Sequence, residues 1–163
     1  MLLYRLTRCG YANDLSGTGA RLYGGRWNSE GRSAIYLASS RSLAVLEALV
    51  HLPSTNMPDE FCMVTIEAPD DLAEIDEKLL PQGWQDSSDL DILQQIGNKF
   101  LFEKKNLLLK VPSAIVNEEY NYLLNPAHTT AQKIKLKSIK PFNFDNRLFN
   151  SPSKSPPVGE TFE

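Results

Sequence analysis

Strand-like runs outnumber helical ones along this chain, and the two kinds do not alternate. LLYRL at 2–6, SAIYLA at 33–38, FCMVTIEA at 61–68, NLLLKV at 106–111, EYNYLLN at 119–125 and QKIKLKSI at 132–139 carry the β-branched, aromatic or alternating character of strands. Helical periodicity shows in SLAVLEALVHL, which Ser39 or Ser40 can cap and Pro53 stops, and again around 88–102. A strict βαβ order would predict a parallel, doubly wound sheet; this order predicts an α+β domain instead. With 163 residues, the chain can build one domain with a real core, which we place at 1–149. The remainder, NSPSKSPPVGETFE at 150–163, is rich in proline and serine and reads as a disordered tail. Residues 10–31 read as a loop holding six of the nine glycines, and the acidic stretch 70–95 as a surface excursion.

The remaining composition narrows the class. Glu47 interrupts the longest apolar run, so no stretch approaches the roughly 20 apolar residues that span a bilayer. The opening MLLYRLTRC lacks the apolar core of a secretory signal, and a cytoplasmic chain without membrane contact is expected. Cys9 and Cys62 are too few for a disulfide framework, and neither they nor His51 and His128 have metal-ligand spacing, so no metal is expected.

Charge is strongly segregated. Residues 1–50 carry a net +3, residues 51–95 a net −10 and residues 96–150 a net +5. Six of the seven arginines (Arg5, Arg8, Arg21, Arg26, Arg32, Arg41) fall in the first 41 residues, ahead of every lysine. Arginine offers a planar fork to phosphate or carboxylate, whereas lysine is a hydrated point charge. The segregation therefore points to an anion site in the N-terminal third, or to a cationic face for a protein partner. Direct nucleic-acid binding is not expected, because the whole chain is acidic and basic and aromatic residues do not interleave.

Three stretches could carry chemistry. GTGARLYGGRWN at 17–28 fails both the P-loop and the dinucleotide glycine patterns, yet its glycines can let backbone approach an anion beside Arg21 and Arg26. Glu47 is the only charge between Arg41 and Asp59, in an otherwise apolar helix. It is either a solvated helix residue or a partly buried carboxylate that needs an arginine or hydroxyl partner. VPSAIV at 111–116 presents Ser113 at a strand end, but no Gly-x-Ser-x-Gly elbow or histidine–carboxylate pair activates it. Tyr36 reads by itself as a core tyrosine, Asn125-Pro126 as a turn, and both histidines as structural.

Together, GARLYGGRWNSEGRSAIYLASSRSLAVLEAL and LLLKVPSAIVNEEYNYLLNPAH resemble the RES-domain proteins, the toxin halves of RES–Xre toxin–antitoxin pairs. The arginine, glutamate and serine that name the family fall on Arg26, Glu47 and Ser113, and the spacing of Arg26, Tyr36 and Glu47 fits its pattern. The resemblance runs from about Leu3 to Leu148; one departure is NKF at 98–100, where the family more often has Asp-x-Trp, a change expected to touch packing rather than chemistry. It implies a single domain similar in fold to ADP-ribosyltransferases of the diphtheria-toxin type, with mixed or antiparallel sheets and a few helices. It implies NAD as substrate rather than cofactor, cleaved at the nicotinamide–ribose bond with water or inorganic phosphate as acceptor. Transfer to a protein is the alternative, and a non-catalytic module that binds an antitoxin or nucleotide is a third reading. By the same resemblance Arg26 would hold the pyrophosphate with Arg5 as a second clamp, Tyr36 would stack on nicotinamide, and Glu47 would hold the ribose and offset its developing charge. Ser113 would bond a phosphate or the ribose, and Tyr4, Gly25 and Asn125 would complete the NAD contacts. The implied partner is an Xre-type helix-turn-helix antitoxin in a hetero-oligomer.

Overall fold

Apolar strands and amphipathic helices sort into one mixed sheet with helices on its faces. The computed structural model describes residues 1–52, 60–86 and 90–148. In chain order, β1 spans Leu2–Arg8, α1 Thr18–Tyr23, β2 Ile35–Ala38, α2 Arg41–Leu49, β3 Phe61–Glu67, β4 Leu72–Glu74, α3 Asp91–Glu103, β5 Leu108–Pro112, β6 Tyr120–Leu124 and β7 Lys135–Phe142. The sheet order is β4-β5-β6-β2-β1-β3-β7, antiparallel throughout except for the β4–β5 pair. The expected strands and both expected helices form. The sequence reading missed α1 inside the glycine-rich stretch and β4 inside the acidic one. Both are short elements whose local pattern is weaker than the tertiary contacts that fix them. The expected 150–163 tail lies outside the described residues.

Residues alternate across the strands to feed both faces of the sheet. Leu108 and Leu124 join Leu3, Ile35, Val64 and Ile66 in one apolar cluster, while their neighbours Leu109 and Leu123 pack with Trp27, Leu93 and Leu101 beneath α3. A third cluster seats Leu43 and Ala44 of α2 on Ala38 and Met63. β3 is buried on both faces from Phe61 to Ile66, which explains its near-continuous apolar run. β7 closes one edge with Lys135, Lys137 and Lys140 exposed, a charge pattern that discourages pairing with another strand.

Cys9 and Cys62, too few for a framework by sequence, are nevertheless bonded to each other, with Cα atoms 4.9 Å apart. The β1–β3 register sets Thr7 opposite Cys62, and the chain then turns at Cys9, whose N–H donates to the Glu60 carbonyl at 2.8 Å. A separation of 53 residues in sequence hides a pairing that only this register reveals.

Candidate active site

α2 brings Glu47 to the sheet. Ser40 caps the helix by accepting the Leu43 N–H at 3.1 Å, which fixes where its turns begin. Glu47 follows Leu43 by four residues and so shares the stripe that Leu43 buries at 0% exposure, rather than the solvated side. Its Oε1 accepts hydrogen bonds from Ser113 Oγ at 2.8 Å and from Asn121 Nδ2. Ser113 lies just past the end of β5, and Asn121 lies on the adjacent strand, paired with Val111. The Ser113 oxygen in turn accepts the N–H groups of Ile115 and Val116, each at 3.1 Å, so the hydroxyl hydrogen is left for Glu47. Both donors address one carboxylate oxygen, which orients the group on a residue that lines the cleft.

Arg26 is placed by a different kind of structure. Gly25 and Asn28 bridge to each other, closing a tight turn around Arg26 and Trp27, with Gly25 N–H on the Asn28 carbonyl at 2.8 Å. The Tyr36 hydroxyl accepts the Trp27 N–H at 3.0 Å and donates to Asn28 Oδ1 at 2.7 Å. Asn28, at 0% exposure, donates onward to the Ala20 and Arg32 carbonyls. Burial pushes the Tyr36 phenol well above the ordinary tyrosine range, so it stays protonated and able to donate. A Cβ at Gly25 would stand 2.5 Å from that hydroxyl, so only glycine lets the turn sit this close to β2. Among the described residues the Arg26 guanidinium makes one bond, from Nη1 to the Trp84 carbonyl at 2.9 Å. Arg5 donates to the Asp14 carbonyl at 2.9 Å; burial lowers its pKa from the ordinary arginine value, and the Asp14 charge opposes that shift.

Tyr4, Arg5, Gly25, Arg26, Tyr36 and Glu47 line one cleft of about 680 Å³. The structure therefore brings together six of the eight residues singled out by sequence. Ser113 is 3% exposed and outside the cleft lining, and its hydroxyl donates to the Glu47 carboxylate. Asn125 does not reach the cleft. Its side chain, 1% exposed, donates to the Leu101 carbonyl at 2.9 Å and accepts the Ala127 N–H at 3.0 Å, which makes it a turn residue. Asn121 and His51 line the cleft and were missed. The strand assignment of EYNYLLN carried the signal for Asn121, since a polar residue amid a sheet-forming run needs a partner. Among the described residues no three His, Cys, Asp or Glu side chains group to hold a metal, and no helix is long and apolar enough to cross a membrane.

A family model for the RES domain matches residues 2–145. The chain belongs to the RES domain family. A Prs ADP-ribosylating toxin of Sphingobium sp. (strain YBL2) is 41% identical to this RES domain over 141 residues, covering 84% of this chain and 88% of that protein. A protein named Toxin Res from Photorhabdus laumondii is 41% identical over 152 residues, covering 91% of this chain and 97% of its own length. The fold matches the crystal structure of the M. tuberculosis MbcT–MbcA toxin–antitoxin complex with a TM-score of 0.72 at 22% identity, over 86% of this chain and 83% of that one. The α+β class expected from the order of strands and helices is thus the architecture of the RES domain.

Proposed function

We propose that this RES domain is the toxin of a toxin–antitoxin pair and consumes NAD by cleaving the nicotinamide–ribose bond. The observation that carries the reading is the Glu47 carboxylate, tied through one oxygen to Ser113 and Asn121, in the same cleft as Arg26 and Arg5. In the reaction the ribose C1′–N bond breaks and its electron pair leaves with nicotinamide, neutralising the pyridinium. Positive charge moves onto the ribose, an oxocarbenium-like state of the kind that glycosidases stabilise. A fixed carboxylate beside that ribose is worth most at this moment, because the charge it answers exists only there. The acceptor oxygen then bonds to C1′ and its proton is lost to solvent. Arg26 and Arg5 retain donors for the pyrophosphate, and a guanidinium can bind it bidentately. Tyr36 offers its ring to nicotinamide while its hydroxyl stays engaged with the Arg26 turn. The leaving group is already cationic, so the step needs no strong general acid.

With water as acceptor the product is ADP-ribose; with inorganic phosphate it is ADP-ribose 1″-phosphate. Transfer to a protein side chain is the second reading, favoured by the name of the Sphingobium relative. A protein with this activity must be restrained in its own cell, and an Xre-type antitoxin with a carboxylate-bearing segment would complement the arginines of the cleft. Incubating antitoxin-free protein with NAD, with and without phosphate, and identifying the products by mass tests the proposal. Nicotinamide release is expected, with phosphate dependence marking phosphorolysis. Intact NAD after hours with folded protein overturns it.

A further inference from the structure

No residue of α3 lines the cleft, yet the inner side of this helix is spent on the turn that carries Arg26. Gln94 Nε2 donates to the Gly25 carbonyl at 2.9 Å, and Gln94 Oε1 accepts from Ser29 Oγ at 3.2 Å. One turn later, Asn98 Nδ2 donates to the same Ser29 Oγ at 2.7 Å, and Asn98 Oδ1 accepts the Ser29 N–H at 3.1 Å. The bonds fall on the residue before Arg26 and on the third residue after it, bracketing the arginine. Gln94 and Asn98 stand four apart and so share one helix face. Gly97 completes that face: a Cβ there would stand 1.8 Å from the Trp27 carbonyl oxygen, so the helix backbone itself rests on the turn. The three bonds made by side-chain donors run in one direction. Asn98 donates into Ser29 Oγ, which turns the Ser29 hydrogen toward Gln94, whose own amide hydrogens are thereby free for Gly25. Linked donors and acceptors of this kind hold a geometry more firmly than separate bonds do.

We propose that Gln94 and Asn98 are positioning residues for Arg26, and that α3 thereby sets how tightly the cleft holds a diphosphate. The inference rests on reading Arg26 as the pyrophosphate clamp. Among the described residues the Arg26 guanidinium has one hydrogen-bond partner, the Trp84 carbonyl, so its placement leans on the backbone of residues 25–29. The Tyr36 hydroxyl holds that backbone from the sheet, and α3 holds it from the other side. A bidentate fork is sensitive to displacement, and a misplacement of about 1 Å in a binding group can cost up to about 10²-fold.

The test uses Gln94→Met and Asn98→Leu, which keep side-chain size and remove the bonds. Two quantities are read: amide hydrogen exchange across residues 25–29, and calorimetric affinity for ADP-ribose, which keeps the pyrophosphate and cannot react. Each variant should speed exchange in that segment alone and weaken ADP-ribose binding about ten-fold, while nicotinamide release at saturating NAD stays within about two-fold. Added to Arg26→Ala, neither substitution should weaken ADP-ribose binding further. Unchanged exchange overturns the positioning role. Faster exchange with unchanged affinity, where Arg26→Ala does weaken binding, overturns the link between α3 and affinity. If Arg26→Ala itself leaves ADP-ribose affinity intact, the pyrophosphate reading of Arg26 fails, and the proposed control of affinity fails with it.

Discussion

Glu47 and Arg26 share a cleft but are held in opposite ways. The carboxylate is gripped directly, one oxygen taking donors from the end of β5 and from β6, so its direction is fixed by side chains anchored in the sheet. The guanidinium is gripped at a distance. Its turn is pinned by Tyr36, Asn28, Gln94 and Asn98, while its own tip bonds, among the described residues, to the Trp84 carbonyl. A rigid carboxylate suits a charge that develops at one point in the reaction; an arginine held through its backbone turn suits a ligand that must arrive and leave. The two regions therefore predict different kinetic consequences when each is altered.

The largest effect belongs to Glu47. Glu47→Gln keeps the shape and one acceptor but removes the charge, and turnover measured by nicotinamide release should fall about 10²–10³-fold, on the order of 3–4 kcal/mol. Its partners come next. Ser113→Ala and Asn121→Leu each remove a donor to a carboxylate, a bond worth roughly 1.5–3 kcal/mol, so turnover should fall roughly ten- to a hundred-fold with the KM for NAD little changed. In a Glu47→Gln protein the same substitutions should cost much less, because their target is gone; an undiminished cost would show that they act independently of Glu47. The smallest effect on chemistry is expected from Tyr36→Phe. It strips the Trp27 N–H and Asn28 Oδ1 of their partner, which should cost about 1–3 kcal/mol of stability in denaturant melts and raise the KM more than it lowers turnover. A loss confined to turnover would move Tyr36 from the Arg26 side of the comparison to the Glu47 side.

Much of this was legible in the sequence because it is local. Ser40 as a cap, the helix that follows it, and the apolar run of β3 each leave a pattern within a few residues. The residues of the cleft were visible as chemistry out of place: an acid in an apolar helix, and arginines among glycines. What sequence could not give was register. Asn121 meets Glu47 only because β6 pairs with β5 so that Asn121 lies opposite Val111, and Cys9 meets Cys62 only through the β1–β3 ladder. Asn125 lies outside the cleft lining and bonds within its own turn; a buried asparagine near a strand end looks the same in sequence whether it serves a ligand or its own turn. The NKF segment looked like packing, and Asn98 does pack, but against the residues that carry Arg26.

A stalled enzyme tests this division of labour most directly. Glu47→Gln should bind NAD without consuming it, so its affinity can be measured by calorimetry and compared with that of the Glu47→Gln, Arg26→Lys double variant. Lysine keeps the charge and loses the fork. The single variant should bind NAD and the double variant should bind it about ten-fold more weakly, roughly 1.4 kcal/mol. Equal affinities for the two proteins, or a Glu47→Gln protein that releases nicotinamide at close to the native rate, would contradict it.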